Sequence, residues 1–393
     1  MKNLFQTAIG ILMFGLVVLP VPAAFPSLYV FGDGLSSTAD TSFPGSSLYY
    51  GQRYSNGRVW VEVLAQRQGL KFDNTKNNSY WDHNSSTLVT DVKNFTAPTN
   101  VANDLFIVWV CNADTFDAAS TYLYNPGYQL SSANMQSQTN HLQIITNLYA
   151  KGVRTLILPN AVDISEIPAF NAGTAAPVLH AGCLDYNARF SNTISQARAL
   201  CPGLKIYTPD FFTLLNNVLT NAAAYGLTNA LVNYGHGNVS IDAIDANSAA
   251  PKVFPPAATN GYGTNFVFWD AQDPTAQFHE VIADVVQQII SPVQINGITV
   301  LNGSNRLDVV NMPVGLNGFV DGCTNLIPPS WTTVTNITSS SIAQSIFVAQ
   351  PATGNSGSVH PADSGGPGLL GGPTPPYIMQ YYRLRFPYAW SWP

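Results

Sequence analysis

The chain has 393 residues, 46% of them hydrophobic and only 10% charged, with a formal net charge of −6. That length allows one large domain or two medium ones. A net negative chain with no Lys/Arg cluster argues against nucleic-acid binding, and no basic amphipathic stretch suits docking on a membrane surface.

The N-terminus has the form of an export signal. Lys2 supplies the positive charge, Ile9 to Leu19 is apolar, and Val21-Pro22-Ala23 provides small residues at the cleavage spacing. The apolar run is shorter than the ~20 residues that span a bilayer. Residues 1–23 are therefore expected to be removed, leaving a secreted, extracellular chain that no membrane retains.

Next come short apolar runs at Leu28 to Phe31, Leu70 to Phe72, Leu105 to Val110, Thr155 to Leu158 and Lys205 to Tyr207. They read as parallel strands covered on both faces. Helical spacing joins Leu142, Ile145 and Tyr149, then Phe190, Ile194 and Ala197. It returns at Phe278, Val281, Ile282, Val285 and Ile289, and Pro292 ends that helix. Strands alternating with helices predict a three-layer α/β/α sandwich with a mostly parallel sheet over 24–293. Ligands of such sheets sit beyond the carboxyl ends of the strands. Residues 294–393 are rich in Asn, Thr, Ser, Gly and Pro and read as a mostly irregular low-complexity extension with a few short strands.

Four cysteines in an exported chain allow disulfides. Cys183 and Cys201 flank one predicted helix and form the favoured pair, while Cys111 and Cys323 stay unassigned. There is no Cys-x-x-Cys and the histidines are scattered, so neither a metal nor another cofactor is expected. Asn-x-Ser/Thr triplets mark Asn77, Asn84, Asn94, Asn238, Asn302 and Asn336 for glycosylation. A monomer is expected.

Four blocks occur in order: Phe31-Gly32-Asp33-Gly34-Leu35-Ser36, Tyr54-Ser55-Asn56-Gly57-Arg58-Val59-Trp60-Val61-Glu62, Val108-Trp109-Val110-Cys111-Asn112-Ala113-Asp114, and Phe268-Trp269-Asp270-Ala271-Gln272-Asp273-Pro274-Thr275. Together they resemble the SGNH/GDSL hydrolases, and most of all their secreted fungal carbohydrate esterase family 16 acetylesterases. The resemblance covers Phe25 to Ile290. It implies the flavodoxin-like SGNH hydrolase fold and ester hydrolysis by a serine, a histidine and an orienting aspartate, with backbone and side-chain donors holding the oxyanion.

Against that pattern the reactive positions are degenerate. Gly34 stands where the resemblance implies the nucleophilic serine, Asp273 where it implies the histidine, and Ala113 where it implies the oxyanion asparagine. The oxyanion glycine block is expected at Asn74 to Tyr80, where no glycine occurs. Of the triad only Asp270 remains. Losing one oxyanion donor costs roughly 10²–10³ in rate, and losing the serine or histidine about 10⁶. The expectation is a pseudoenzyme of carbohydrate acetylesterase lineage.

Two other readings stay open. Ser36 and His279 could act as relocated nucleophile and base in a working acetylesterase, with Asn112 as the oxyanion donor after a one-residue slip. His279 reads otherwise as a surface histidine. Alternatively the cleft could bind a carbohydrate or acylated small molecule through Asp33, Asn112, Trp109 and Trp269, although Trp109 and Trp269 read first as core residues. A weak divalent-cation or cationic-ligand site at Asp270 and Asp273 is a further expectation, because paired carboxylates attract a cation.

Overall fold

The computed structural model describes residues 25–40, 48–235, 237–249, 263–301, 303–324, 326–349 and 380–387. The export signal at 1–23 and the sequon at Asn302 lie outside them.

Four of these runs and one polar segment form a five-stranded sheet: β1 (Leu28–Gly32), β2 (Asn77–Ser79), β3 (Leu105–Trp109), β4 (Thr155–Ile157) and β5 (Lys205–Tyr207). The order is β2-β1-β3-β4-β5, and every pairing is parallel. All five residues of β3 are buried, as a central strand covered on both faces requires. The second strand is not where the apolar run Leu70 to Phe72 suggested. That run forms no strand, and the strand is the polar Asn77–Ser79 at the sheet edge, paired only with β1.

The helices are α1 (Trp60–Arg67), α2 (Ser85–Asn94), α3 (Cys111–Tyr124), α4 (Leu130–Ala150), α5 (Pro168–Asn171), α6 (Ala176–Leu200), α7 (Phe211–Thr220), α8 (Ala243–Ala249) and α9 (Ala276–Ile290). On one face of the sheet α1 packs on α9. On the other, α4 packs between α2 and α6. Val30, Ile107, Leu156, Leu64, Ile144 and Val286 belong to one continuous core between these layers. The chain thus has the three-layer α/β/α architecture. A small hairpin, β6 (Leu231–Asn233) with β7 (Asn238–Ser240), lies outside the main sheet.

Residues 294–385 correct the expectation of an irregular extension. They contain β8 (Gln294–Leu301), β9 (Ser304–Val310), β10 (Asn317–Cys323), β11 (Thr332–Thr338), β12 (Ala343–Ala349) and β13 (Tyr381–Arg385). These make two antiparallel three-stranded sheets, β12-β9-β8 and β11-β10-β13. Their inner faces share a separate core around Leu307, Val309, Met312, Val320, Ile346 and Leu384. Each sheet hides one face, so alternate residues suffice, and β9 alternates strictly between buried and half-exposed. The β unit docks on the hydrolase-like layers where Val314 N–H donates to the Arg67 carbonyl at 3.2 Å. Beside it, Arg67 forms a buried ion pair with Asp284 at 2.6 Å.

The disulfide expectation is also corrected. Cys183 and Cys201 carry buried, free thiols. Cys183 lies inside α6 and Cys201 caps its end. Eighteen residues of helix separate them by ~27 Å, whereas a disulfide needs α-carbons within about 7 Å.

Candidate functional site

The order 2-1-3-4-5 reverses direction between β1 and β3, and ligands of this topology settle at that switch point. Asp33 and Gly34 follow β1 there, and Asn112 and Ala113 follow β3. Together with Trp81, Asp82, Asp117 and Asp273 they line a cavity of about 270 Å³. Phe116, Val162, Ile164 and Ile167 add apolar lining.

Asp33 caps a single 3₁₀ turn, Gly34–Ser36, by accepting from Leu35 N–H through Oδ1 at 3.1 Å. Its other oxygen, Oδ2, is buried and has no partner among the described residues. Burial raises the Asp33 carboxyl to about 7, the Asp114 charge adding to the effect and backbone N–H groups opposing it. Asn112 opens α3. Its Oδ1 accepts from Val162 N–H at 3.1 Å, while its Nδ2 is buried without a partner.

The fourth block folds into a tight loop before α9. Asp270 Oδ1 accepts from the backbone N–H groups of Gln272 and Asp273, at 2.9 and 2.8 Å. Its Oδ2 accepts from Tyr49 Oη at 2.7 Å. Asp273 faces the cavity but is 3% exposed. Burial, then the charges of Asp270 and Asp33, push its carboxyl well above the usual range. The second block pins this loop in place: Ser55 Oγ donates to the Pro274 carbonyl at 2.9 Å, and Asn56 Oδ1 accepts from Ala276 N–H at 2.8 Å. A β-carbon at Gly57 would lie 2.6 Å from that of Ala276, so this approach requires glycine.

Asp114, the last residue of the third block, is structural. Its oxygens accept from Ser85 N–H at 2.8 Å and Tyr186 Oη at 2.8 Å, and His141 Nε2 sits 3.2 Å away.

The structure does not bring the relocated residues together. Ser36 is fully buried, its Oγ accepting from Trp60 Nε1 at 3.0 Å. His279 is no surface histidine. It is fully buried in α9, neither ring nitrogen has a hydrogen-bond partner, and burial lowers its pKa to about 3. Neither residue lines the cavity. Asn112 does line the cavity, and with Val162 N–H holding its Oδ1 its Nδ2 is left there as a donor, but neither Ser36 nor His279 reaches it to complete a catalytic set.

Trp109 and Trp269 are each 1% exposed and lie outside the cavity wall, so both are core residues and not ligand platforms. The tryptophan at the site is Trp81, which no motif block contains. It is reached through β2: because that strand ends at Ser79, the loop delivered to the cavity is Tyr80 to Asp82 and not the region around Asn74. Asp82 there has a φ of 62°, the left-handed conformation that glycine adopts most easily. The carboxyls of Asp270 and Asp273 do lie together, and the charge of Asp270 helps to raise the Asp273 carboxyl, but Asp270 spends both oxygens on protein donors.

A parallel sheet with these four blocks at its switch point is the frame of an esterase-type hydrolase. The chain belongs to the GDSL-like lipase/acylhydrolase family, whose model matches residues 28–286. It is 23% identical over 314 residues to a GDSL esterase/lipase of Arabidopsis thaliana, covering 65% of this chain and 87% of that relative. It is 23% identical over 332 residues to the GDSL esterase/lipase EXL3 of Arabidopsis thaliana, covering 69% and 89%. The thermolabile hemolysin of Vibrio parahaemolyticus is 22% identical over 283 residues, covering 67% of this chain and 63% of its own. Among solved structures, LAE5, an alpha/beta hydrolase enzyme from a lake metagenome, aligns with TM-score 0.40 and 13% identity, over 69% of this chain and 97% of that one.

Proposed function

We propose that this chain is an exported, non-hydrolytic member of the family, of carbohydrate acetylesterase lineage, whose cleft binds a carbohydrate or acylated small molecule without cleaving it. One observation carries the reading. At the switch point the three reactive positions are Gly34, Ala113 and Asp273, and the nearest substitutes, Ser36 and His279, are locked inside the core. A serine hydrolase needs a hydroxyl within hydrogen-bond reach of a base, and among the described residues the cavity wall supplies no histidine.

Export rests on the pattern of residues 1–23. It is compatible with the absence, among the described residues, of any helix long and apolar enough to cross a membrane. Asn94, Asn238 and Asn336 are exposed and suit glycan attachment. Asn77 and Asn84 suit it poorly, because the first donates to the Ser36 carbonyl at 2.9 Å and the second to Asp117 at 2.9 Å.

The test is turnover of p-nitrophenyl acetate and acetylated oligosaccharides by the purified full-length protein, paired with fluorophosphonate labelling. Rates at the protein-free background and no label are expected. Turnover at the level of an active family member, with a labelled serine, would overturn the reading.

A further inference from the structure

The lining of the cavity is rich in carboxyl groups. Its wall contains Asp33, Asp82, Asp117 and Asp273, and among the described residues no lysine, arginine or histidine. Such a wall repels anionic ligands, including carboxylates and phosphates, and attracts a positive centre.

An acidic wall alone would not define a ligand, but two buried groups at the same place do. Asp33 is 4% exposed and its Oδ2 is an unpartnered acceptor; Asn112 is 6% exposed and its Nδ2 is an unpartnered donor. Buried polar atoms left unpaired cost free energy that a ligand with complementary groups recovers. The indole of Trp81 and the ring of Phe116 line the same space, and aromatic faces favour a nearby cation.

We propose that this cavity binds a protonated amine carrying a neighbouring hydroxyl or carbonyl oxygen, as in an amino sugar. The ammonium group faces Asp33 and Asp273, and the neighbouring oxygen accepts from Asn112 Nδ2. The volume of about 270 Å³ suits a ligand of monosaccharide size, just below the roughly 300–1,000 Å³ of small-molecule sites. An organic ammonium fits where a bare divalent ion does not, because its N–H groups engage separated acceptors one at a time. The electrostatics agree. Asp33 faces the charge of Asp114, and Asp273 faces those of Asp270 and Asp33. With no cation present these two carboxyls favour their protonated forms, and an ammonium group takes over the role of the proton.

This assignment refines the binding function proposed above and rests on it. Calorimetric titration of the full-length protein with glucosamine, N-acetylglucosamine and glucose tests it. Glucosamine should bind at least about tenfold more tightly than the two neutral sugars, as a charge-assisted hydrogen bond allows. Asp273→Asn and Asp33→Asn should each remove most of that preference, and Asn112→Ala should weaken glucosamine. A circular dichroism spectrum and melting curve on each variant separate misfolding from lost binding, and Asp117→Asn provides a surface-side variant should both buried ones fail to fold. Equal affinity for glucosamine and glucose, or no glucosamine binding at ~10 mM, where a millimolar site is mostly filled, overturns the amine assignment. Neutral sugars binding under those conditions would leave the proposed function standing. Ester turnover would overturn that function whatever the titration shows.

Discussion

The indole of Trp81 covers the backbone of Gly34: a β-carbon built on Gly34 would lie 3.1 Å from Trp81 Cε3 and 3.4 Å from Tyr54 Cδ2. The space that a nucleophile would occupy is thus held by an aromatic ring. Trp81 is 41% exposed and able to yield, although its backbone N–H is fixed to Asp40 Oδ2 at 2.8 Å.

Restoring hydrolysis therefore takes more than one change. Gly34→Ser alone should fold, with a stability cost of roughly 1–3 kcal/mol for the tight contact, and should remain unlabelled by a fluorophosphonate. Gly34→Ser with Asp273→His and Ala113→Asn should label slowly, and adding Trp81→Ala should accelerate labelling. A folded triple variant that never labels would mean that the backbone has moved out of catalytic register.

The Arg67–Asp284 pair joins α1 to α9, and Arg67 alone reaches on to the β unit. Both side chains are nearly fully buried, and Arg67 Nη1 also donates to the Val314 carbonyl at 3.3 Å. Arg67→Ala leaves a buried carboxyl uncompensated and should cost about 3–5 kcal/mol in urea unfolding. Replacing both partners with Met and Leu should recover most of the loss. Equal destabilisation in the single and double variants would show that the pair itself matters little.

Stability should fall as pH rises. Burial lifts Asp33 to about 7 and Asp117, Asp242 and Asp284 to about 6. A carboxyl whose folded pKa exceeds its unfolded value binds protons better in the folded state. Its contribution is complete below about 4 and disappears as pH climbs through the folded pKa. Asp33 alone accounts for about 2–3 kcal/mol between pH 5 and pH 8. Asp185, Asp210 and Asp321 shift the other way, and their influence falls below that range. His279, held at about 3, opposes the trend by roughly 2 kcal/mol between pH 5 and pH 6.5, less than the four carboxyls lose together. Scanning fluorimetry should give a lower melting temperature at pH 8 than at pH 5, with Asp33→Asn flattening the slope. A midpoint that rises from pH 5 to pH 8 would contradict this.

Cys183 and Cys201 should both be alkylated in unfolded, unreduced protein. In the native protein Cys183 should resist, since burial removes access and raises its thiol to about 12. Peptide mapping that recovers the two joined by a disulfide would require α6 to break.

The central sheet was legible because strands covered on both faces must be apolar throughout, as Leu105 to Trp109 is. The edge strand Asn77–Ser79 was not legible: it pairs on one side only, so its register rests on backbone hydrogen bonds and its side chains carry no pattern. The C-terminal strands were obscured by Asn, Thr and Ser on their outward faces, yet Asn305, Leu307 and Val309 alternate as a half-buried strand should. Gly34, Ala113 and Asp273 could be read by position from the motif blocks. The roles of Trp81 and Asp82 could not, because they depend on where β2 ends.

Tyr49, Gln272 and Asp273 together occupy Asp270, and Ser55 and Asn56 fasten the same loop to the start of α9. A residue with that employment survives the loss of its chemistry, because removing it would unfold the turn whether or not a substrate ever arrived. Kinship to the family is accordingly recorded in joinery that never touches a substrate, and a chain can keep all of it while its reactive atoms change one by one. The parts of such a motif that hold a loop together are thus physically separable from the parts that would react.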